Sequence, residues 1–346
     1  MSDFEVIFCD IGEGDSTLLR LPGNQYALID VFRCEGHGID LFRLLDDRLP
    51  RSESGKPRLA LLVITHPHDD HIRGLAGLLE RFEVGEVWAP RYETDKPLGE
   101  HFEEFANMMR EHPNVQIKKG SRSPIAQLGS GDEVTVRCFS PPGYIDVNKE
   151  LTEQKARDEV HEFCGVFKFE YAGVSVMFAG DSDLKCWRRI VGYYRDVSDQ
   201  EAPNLSVLAC TVLHASHHGS YTFFKEDAED EISLDALKLT NPEQVVVSVG
   251  TKNKYGHPHA DAMAAYRDHV GAKALLTTEE TGTILLEVTA DGHYTLKGDD
   301  EFASKYGWDD DDSDNDTGGK HGGPPPPPPP ARPRPKPNPD EGRTYG

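Results

Sequence analysis

The run Leu59-Ala60-Leu61-Leu62-Val63-Ile64-Thr65-His66-Pro67-His68-Asp69-Asp70-His71-Ile72-Arg73-Gly74 carries an apolar strand straight into a cluster of metal-ligand side chains. Its first six residues are apolar without interruption, the pattern of a strand buried on both faces. After Thr65 come three histidines and two aspartates within six positions. Ile72, Leu75, Leu78, Leu79 and Phe82 then recur near a 3.6-residue period, which predicts a helix packed back on the strand. The polar cluster therefore sits where a buried strand ends and the chain turns. His66 and His68, two apart, project to one side, while Asp70 and His71 follow around the turn and can serve a second ion. Neutral imidazole with carboxylate suits Zn, Mn or Fe.

Working outward, residues 4–9, 16–21 and 26–31 read as an opening meander, broken by Gly12-Glu13-Gly14-Asp15 and Pro22-Gly23-Asn24. A helix is expected over 39–49, a strand over 84–89, a helix over 98–112, and strands over 115–118 and 134–139. The second half repeats the theme, with strands over 163–171, 174–178 and 207–213 and a helix over 183–193 between the last two. A strand over 244–249, a helix over 260–269, a strand over 272–277 and a hairpin over 282–288 and 293–297 close the body. Helices follow strands in both halves, which predicts two packed sheets with helices outside.

The 346 residues carry 37 Lys and Arg against 60 Asp and Glu, a formal charge of -23. Eight acids and five bases fall in 309–346, so about -20 belongs to the body. That weighs against long duplex DNA held by counterion release. No window is apolar enough for a membrane span, and MSDFEVIFCDIGEGD lacks the basic segment and apolar run of a secretory signal, so a cytoplasmic protein is expected. The six cysteines form no C-x-x-C pair, and buried reduced thiols are expected.

The pattern H-x-H-x-D-H after an apolar strand resembles the metallo-β-lactamase superfamily, and the resemblance extends over roughly 4–298. Asp10-Ile11-Gly12-Glu13-Gly14-Asp15-Ser16, Leu28-Ile29-Asp30, Phe178-Ala179-Gly180-Asp181, His217-His218-Gly219-Ser220 and Asn253-Lys254-Tyr255-Gly256-His257-Pro258 are similar to the soluble hydrolase domain of ComEC, the DNA-uptake competence protein. The resemblance implies an α/β four-layered αβ/βα sandwich with two divalent ions, Zn or Mn, at the edge of the sheets. It implies His66, His68, Asp70, His71, His161, Asp181 and His217 as metal ligands, with Asp181 bridging the ions and His218 behind His217. Asp70 and His257 are the residues expected to act on the reacting atoms; for His257 ligation, proton donation and oxyanion contact all stay open. His161 stands where the competence-type proteins carry Asn, and either restores a third imidazole to the first ion or orients substrate.

The implied activity is metal-dependent hydrolysis of a phosphodiester or small anionic substrate, by a nuclease or a small-nucleotide phosphodiesterase. Two other readings stand beside it. One is hydrolysis of an ester, thioester or lactam on the same ions; the other is a regulatory module with a structural metal. Basic residues for a substrate flank are Arg43, Arg48, Arg51, Lys56 and Arg58, then Lys118, Lys119 and Arg122, then Arg188 and Arg189. The hydrolase domain is expected over 1–308. Residues 309–346, with an Asp run and seven consecutive prolines from Pro324 to Pro330, read as a disordered tail able to dock in a proline-binding groove of a protein partner.

Overall fold

A computed structural model of the protein describes residues 3–94, 96–141, 145–146, 152–195, 205–251 and 255–308. The expected tail and the Asn253-Lys254 part of one motif lie outside the described residues. The strands of the first half are β1 (Phe4–Phe8), β2 (Thr17–Leu21), β3 (Gln25–Ile29), β4 (Arg58–Val63), β5 (Glu83–Ala89), β6 (Tyr92–Glu93), β7 (Val115–Ile117), β8 (Ala126–Leu128) and β9 (Val134–Ser140). Then come β10 (Ile145–Asp146), β11 (Val166–Tyr171), β12 (Val174–Phe178), β13 (Val212–His214), β14 (Gln244–Val247), β15 (Leu275–Thr277), β16 (Ile284–Val288) and β17 (Tyr294–Gly298). The helices are α1 (Leu41–Arg48), α2 (Asp69–Ile72), α3 (Leu75–Arg81), α4 (Phe102–Glu111), α5 (Glu153–Glu162), α6 (Leu184–Arg195), α7 (Asp235–Thr240), α8 (Ala260–Val270), α9 (Thr278–Thr281) and α10 (Asp300–Tyr306).

One sheet has the order β17-β16-β1-β2-β3-β4-β5-β7 and the other β15-β14-β13-β12-β11-β9-β8. Alternation along β1 shows how they stack: Phe4, Val6 and Phe8 join the core between the sheets, whereas Ile7 joins a second core under α1, α3, α4 and α10. A third core lies between the other sheet and α6, α7 and α8, where Trp187, Leu237 and Tyr266 meet Met177, Leu213 and Val245. The expected four layers are thus formed by helix, sheet, sheet and helix.

Parallel register sets the site. β3, β4 and β5 run parallel, with Leu28 opposite Leu62 and Val63 opposite Trp88. β12, β13 and β14 run parallel too, with Phe178 opposite His214 and His214 opposite Val246. The residues following these strands therefore emerge along one edge, the usual position for a site in sheets of this kind. Among the described residues no helix is long and apolar enough to cross a membrane.

The structure departs from the sequence expectation at several elements. Residues 153–162 form α5, so His161 lies in a last helical turn instead of at a strand start, and β11 begins at Val166. Residues 205–208 form a 3-10 turn and β13 is only three residues long, because Cys210 N is drawn to Thr240 O and leaves the strand line. α7 and α10 also form where no helix was expected; α10 docks on α1, with Asp40 N donating to Tyr306 O at 2.7 Å.

Phe178 is fully buried and its ring meets Phe8, Phe169 and His214. Phe178→Ala is expected to cost about 3–5 kcal/mol in urea unfolding, with the m-value unchanged.

Candidate metal centre

The centre begins with Asp30. It follows β3 in a left-handed conformation (φ 57°), which turns its carboxylate under the end of β4. There it accepts from Thr65 N at 2.7 Å, Thr65 Oγ1 at 2.6 Å and His71 Nδ1 at 2.8 Å. A carboxylate only accepts, so Nδ1 of His71 holds the hydrogen and Nε2 faces Asp181. The loop before β2 closes the other side: Asp15 N donates to Asp70 O at 2.9 Å. A Cβ on Gly14 would lie 2.5 Å from that same carbonyl, so only glycine fits.

Asp181 is delivered by a second tight turn. Gly180 has φ 50°, and a Cβ there would meet Cys164 Sγ at 2.6 Å and Thr65 Oγ1 at 2.9 Å. The carboxylate of Asp181 is 1% exposed and divides its oxygens between two sets of imidazoles. Oδ2 lies 3.6 Å from His66 Nε2, 3.8 Å from His161 Nε2 and 3.5 Å from His217 Nε2. Oδ1 lies 3.1 Å from His71 Nε2 and 3.8 Å from His218 Nε2. Asp183, in contrast, caps α6 by accepting from Cys186 N at 2.8 Å.

Two groups of donors result, His66, His68, His161 and Asp181, and Asp70, His71, Asp181 and His218, each with its atoms within 4.8 Å of one another. His66 Nε2, His71 Nε2, His218 Nε2 and Asp181 Oδ1 are buried without a hydrogen bond. Buried polar atoms left bare are costly, and a shared cation satisfies them together. In the first group His68 Nδ1 and His161 Nε2 face each other at 3.1 Å. Two imidazole nitrogens on one tetrahedral zinc stand roughly 3.3 Å apart, so the donor set fits a divalent cation.

His218 belongs to the second donor group, and His217, the ligand the resemblance implies, has its Nε2 3.5 Å from Asp181 Oδ2 on the side of the first. Both residues are left-handed (φ 52° each), so their rings point to different sides. His218 Nδ1 donates to Ser248 O at 2.9 Å, which aims Nε2 at Asp70 Oδ2, 3.6 Å away. His217 turns beside the His161 ring, with its Nδ1 3.0 Å from Thr222 Oγ1. His214, on β13, is a buried brace 2.8 Å from Ser248 Oγ and 3.5 Å from Asp15. His257 lines the cleft mouth, its ring centroid 5.1 Å from that of His217. The basic flank offers little: Arg48, Arg58, Arg188 and Arg189 pair with Glu5, Glu83, Glu226 and Glu162.

The two groups differ in charge. Burial and neighbouring rings hold His66 well below the usual histidine range and His68 at about 3. Burial opposes charge on His71 and His218 as well, but Asp181 with Asp30 or Asp70 outweighs it, raising His71 and bringing His218 to about 9. Burial, then His218, lowers His257 to about 4. All six cysteines are free, and burial pushes the Cys164 thiol up, so it sits under His66 as a neutral group 3.6 Å from Nδ1.

This fold and this cleft are those of a metal-dependent hydrolase, and the chain belongs to the metallo-beta-lactamase superfamily, whose sequence pattern matches residues 10–239. It is 24% identical over 293 residues to ComE operon protein 3 of Bacillus subtilis (strain 168), a match covering 82% of this chain and 33% of the relative. The chain thus spans about a third of that relative's length. CmlA, a diiron beta-hydroxylase from Streptomyces venezuelae, is 14% identical with a TM-score of 0.48, over 83% of this chain and 55% of that one. Zn(2+)-bound PqqB from Methylobacterium extorquens is 12% identical with a TM-score of 0.43, over 84% and 99%.

Asp30→Asn is expected to weaken divalent-ion binding about 10–100-fold, through loss of the group that orients His71, as read by chelator competition. Because the carboxylates raise His71 and bring His218 to about 9, a cation has to displace protons there, and affinity should rise with pH up to and through about 9. Titration calorimetry in buffers of different ionisation heat will show proton release on binding; none at pH 7 would contradict the assignment.

Proposed function

We propose that the protein hydrolyses phosphodiesters at a centre of two divalent cations. His66, His68, His161 and Asp181 hold one ion, and Asp70, His71, His218 and the other oxygen of Asp181 hold the second. The observation that carries this reading is the division of the Asp181 oxygens, Oδ2 toward His66, His161 and His217 and Oδ1 toward His71 and His218. One carboxylate serving two ions lessens their repulsion, and the pair supplies a water of pKa near 7 and neutralises the substrate. His217 and His257, both neutral rings at pH 7, contribute hydrogen bonds at the mouth of the cleft and no charge.

The phosphodiester, as against a neutral ester, rests on the competence-type motifs around Asp10, Asp181, His217 and His257. The carboxylates of Asp69, Asp70 and Asp158 lining the cleft favour a second reading, an uncharged ester, thioester or lactam. A panel separates them: single-stranded DNA, RNA, a cyclic dinucleotide, bis(4-nitrophenyl) phosphate and a set of neutral esters and lactones, each with Zn- or Mn-loaded protein. Phosphodiesters are expected to be cut, and His66→Ala and Asp181→Ala to lower the rate by about 10³-fold, the equivalent of ~4 kcal/mol of lost transition-state stabilisation. Turnover confined to the neutral esters would overturn the phosphodiester reading. Phosphodiester cleavage that survives both substitutions would overturn the assigned centre.

A further inference from the structure

Helix α5 carries a second side chain into the cleft besides His161. Arg157 precedes His161 by four residues and so shares its face of the helix, while Ala156 and Val160 anchor the helix in the core. Arg157 lines the same cleft as His161, Asp181, His217 and His257, and among the described residues it is the one Lys or Arg that does. Its Nε is buried with no hydrogen-bond partner. The carboxylates beside it are engaged elsewhere. Asp69 accepts from Glu100 N at 2.9 Å and His101 N at 2.8 Å, and Asp158 accepts from Gln154 Nε2 at 2.9 Å. Among the described residues Arg157 forms no ion pair, in contrast to Arg33, Arg48, Arg81, Arg188 and Arg189.

A guanidinium stripped of water at Nε and given no protein acceptor carries an uncompensated cost, which a ligand oxygen removes. Its planar fork matches two oxygens on one centre. We infer that Arg157 is a substrate-binding residue, and that its guanidinium takes the non-bridging oxygens of a phosphodiester monoanion lying over His161 and Asp181. The inference rests on the phosphodiesterase reading and names the group that recognises the substrate's charge. The metal donors are left intact by it, since Arg157 holds no ion.

The test uses the full chain, zinc-loaded, as wild type, Arg157→Ala and Arg157→Lys. Metal content is read by mass spectrometry and dimethyl phosphate binding by phosphorus NMR titration. Steady-state kinetics follow bis(4-nitrophenyl) phosphate. Arg157→Ala is expected to keep its metal, weaken dimethyl phosphate about 10–100-fold and raise KM by a similar factor with a smaller change in kcat. Arg157→Lys, which keeps the charge but not the fork, should fall between. If the wild type cuts the diester and both variants match it in KM and dimethyl phosphate affinity, the assignment of Arg157 is overturned while the phosphodiesterase reading stands. If the wild type binds dimethyl phosphate through Arg157 yet cuts no phosphodiester, the anion site stands and the phosphodiesterase reading falls. A wild type that neither cuts nor binds overturns both.

Discussion

Everything at the edge of the sheets is arranged around one buried carboxylate. Asp181 is cut off from water, and an ionised carboxylate in that position is tolerable only among positive partners or cations. Five imidazole nitrogens stand within 3.8 Å of it. Meeting that requirement fixes much else: Gly180 has to be left-handed, Asp30 has to orient His71, and Ser248 has to hold His218. The two tight turns at Asp30 and Gly180 both close on Thr65, so the second residue after β4 is the pivot of both.

The strand and ligand run at 59–71 was legible because burial on both faces leaves an unbroken apolar string, and no ordinary loop concentrates so many imidazoles. Two packed sheets with helices outside followed from helices after strands, the four-layered sandwich from the resemblance, and all but the shortest strands appear near their expected places. What stayed hidden has a physical cause in each case. α5 reads Glu-Gln-Lys-Ala-Arg-Asp-Glu-Val-His-Glu, and only Ala156 and Val160 are apolar and buried, so periodicity was too thin to register. The separate directions of the His217 and His218 rings come from two consecutive left-handed residues, a conformation that carries no mark in the residue types. Arg157 was passed over because clusters of basic residues drew notice, and a lone cation on a polar helix looks like solvated surface.

The acidity of the body takes on a more local meaning in three dimensions. Arg188 and Arg189 are engaged with Glu226 and Glu162, and Asp69, Asp70 and Asp158 line the cleft, so its walls are carboxylate-rich. A long polyanion would run past carboxylates at distances from the centre, beyond about 8–10 Å, where salt largely screens any attraction from it. A short anionic segment placed directly over the donors would feel mainly the cations and the single guanidinium.

The pairing of β1 with β16, which sets Phe4 opposite Val288, has a consequence for assembly. One sheet is built from both extremes of the body, with the whole second sheet inserted between them in sequence. Closure of that sheet has to wait for contacts separated by almost the entire domain, the kind of topology that folds slowly. The ligand-bearing turns after β4 and β12 belong to different sheets, so their side chains converge only once the sheets have stacked. A cation held by Asp181 together with the ligands that follow β4, His66 and His68 in one group or Asp70 and His71 in the other, would then act as a late clasp between halves formed separately, and its loss would loosen the junction of the sheets before it disturbed either sheet.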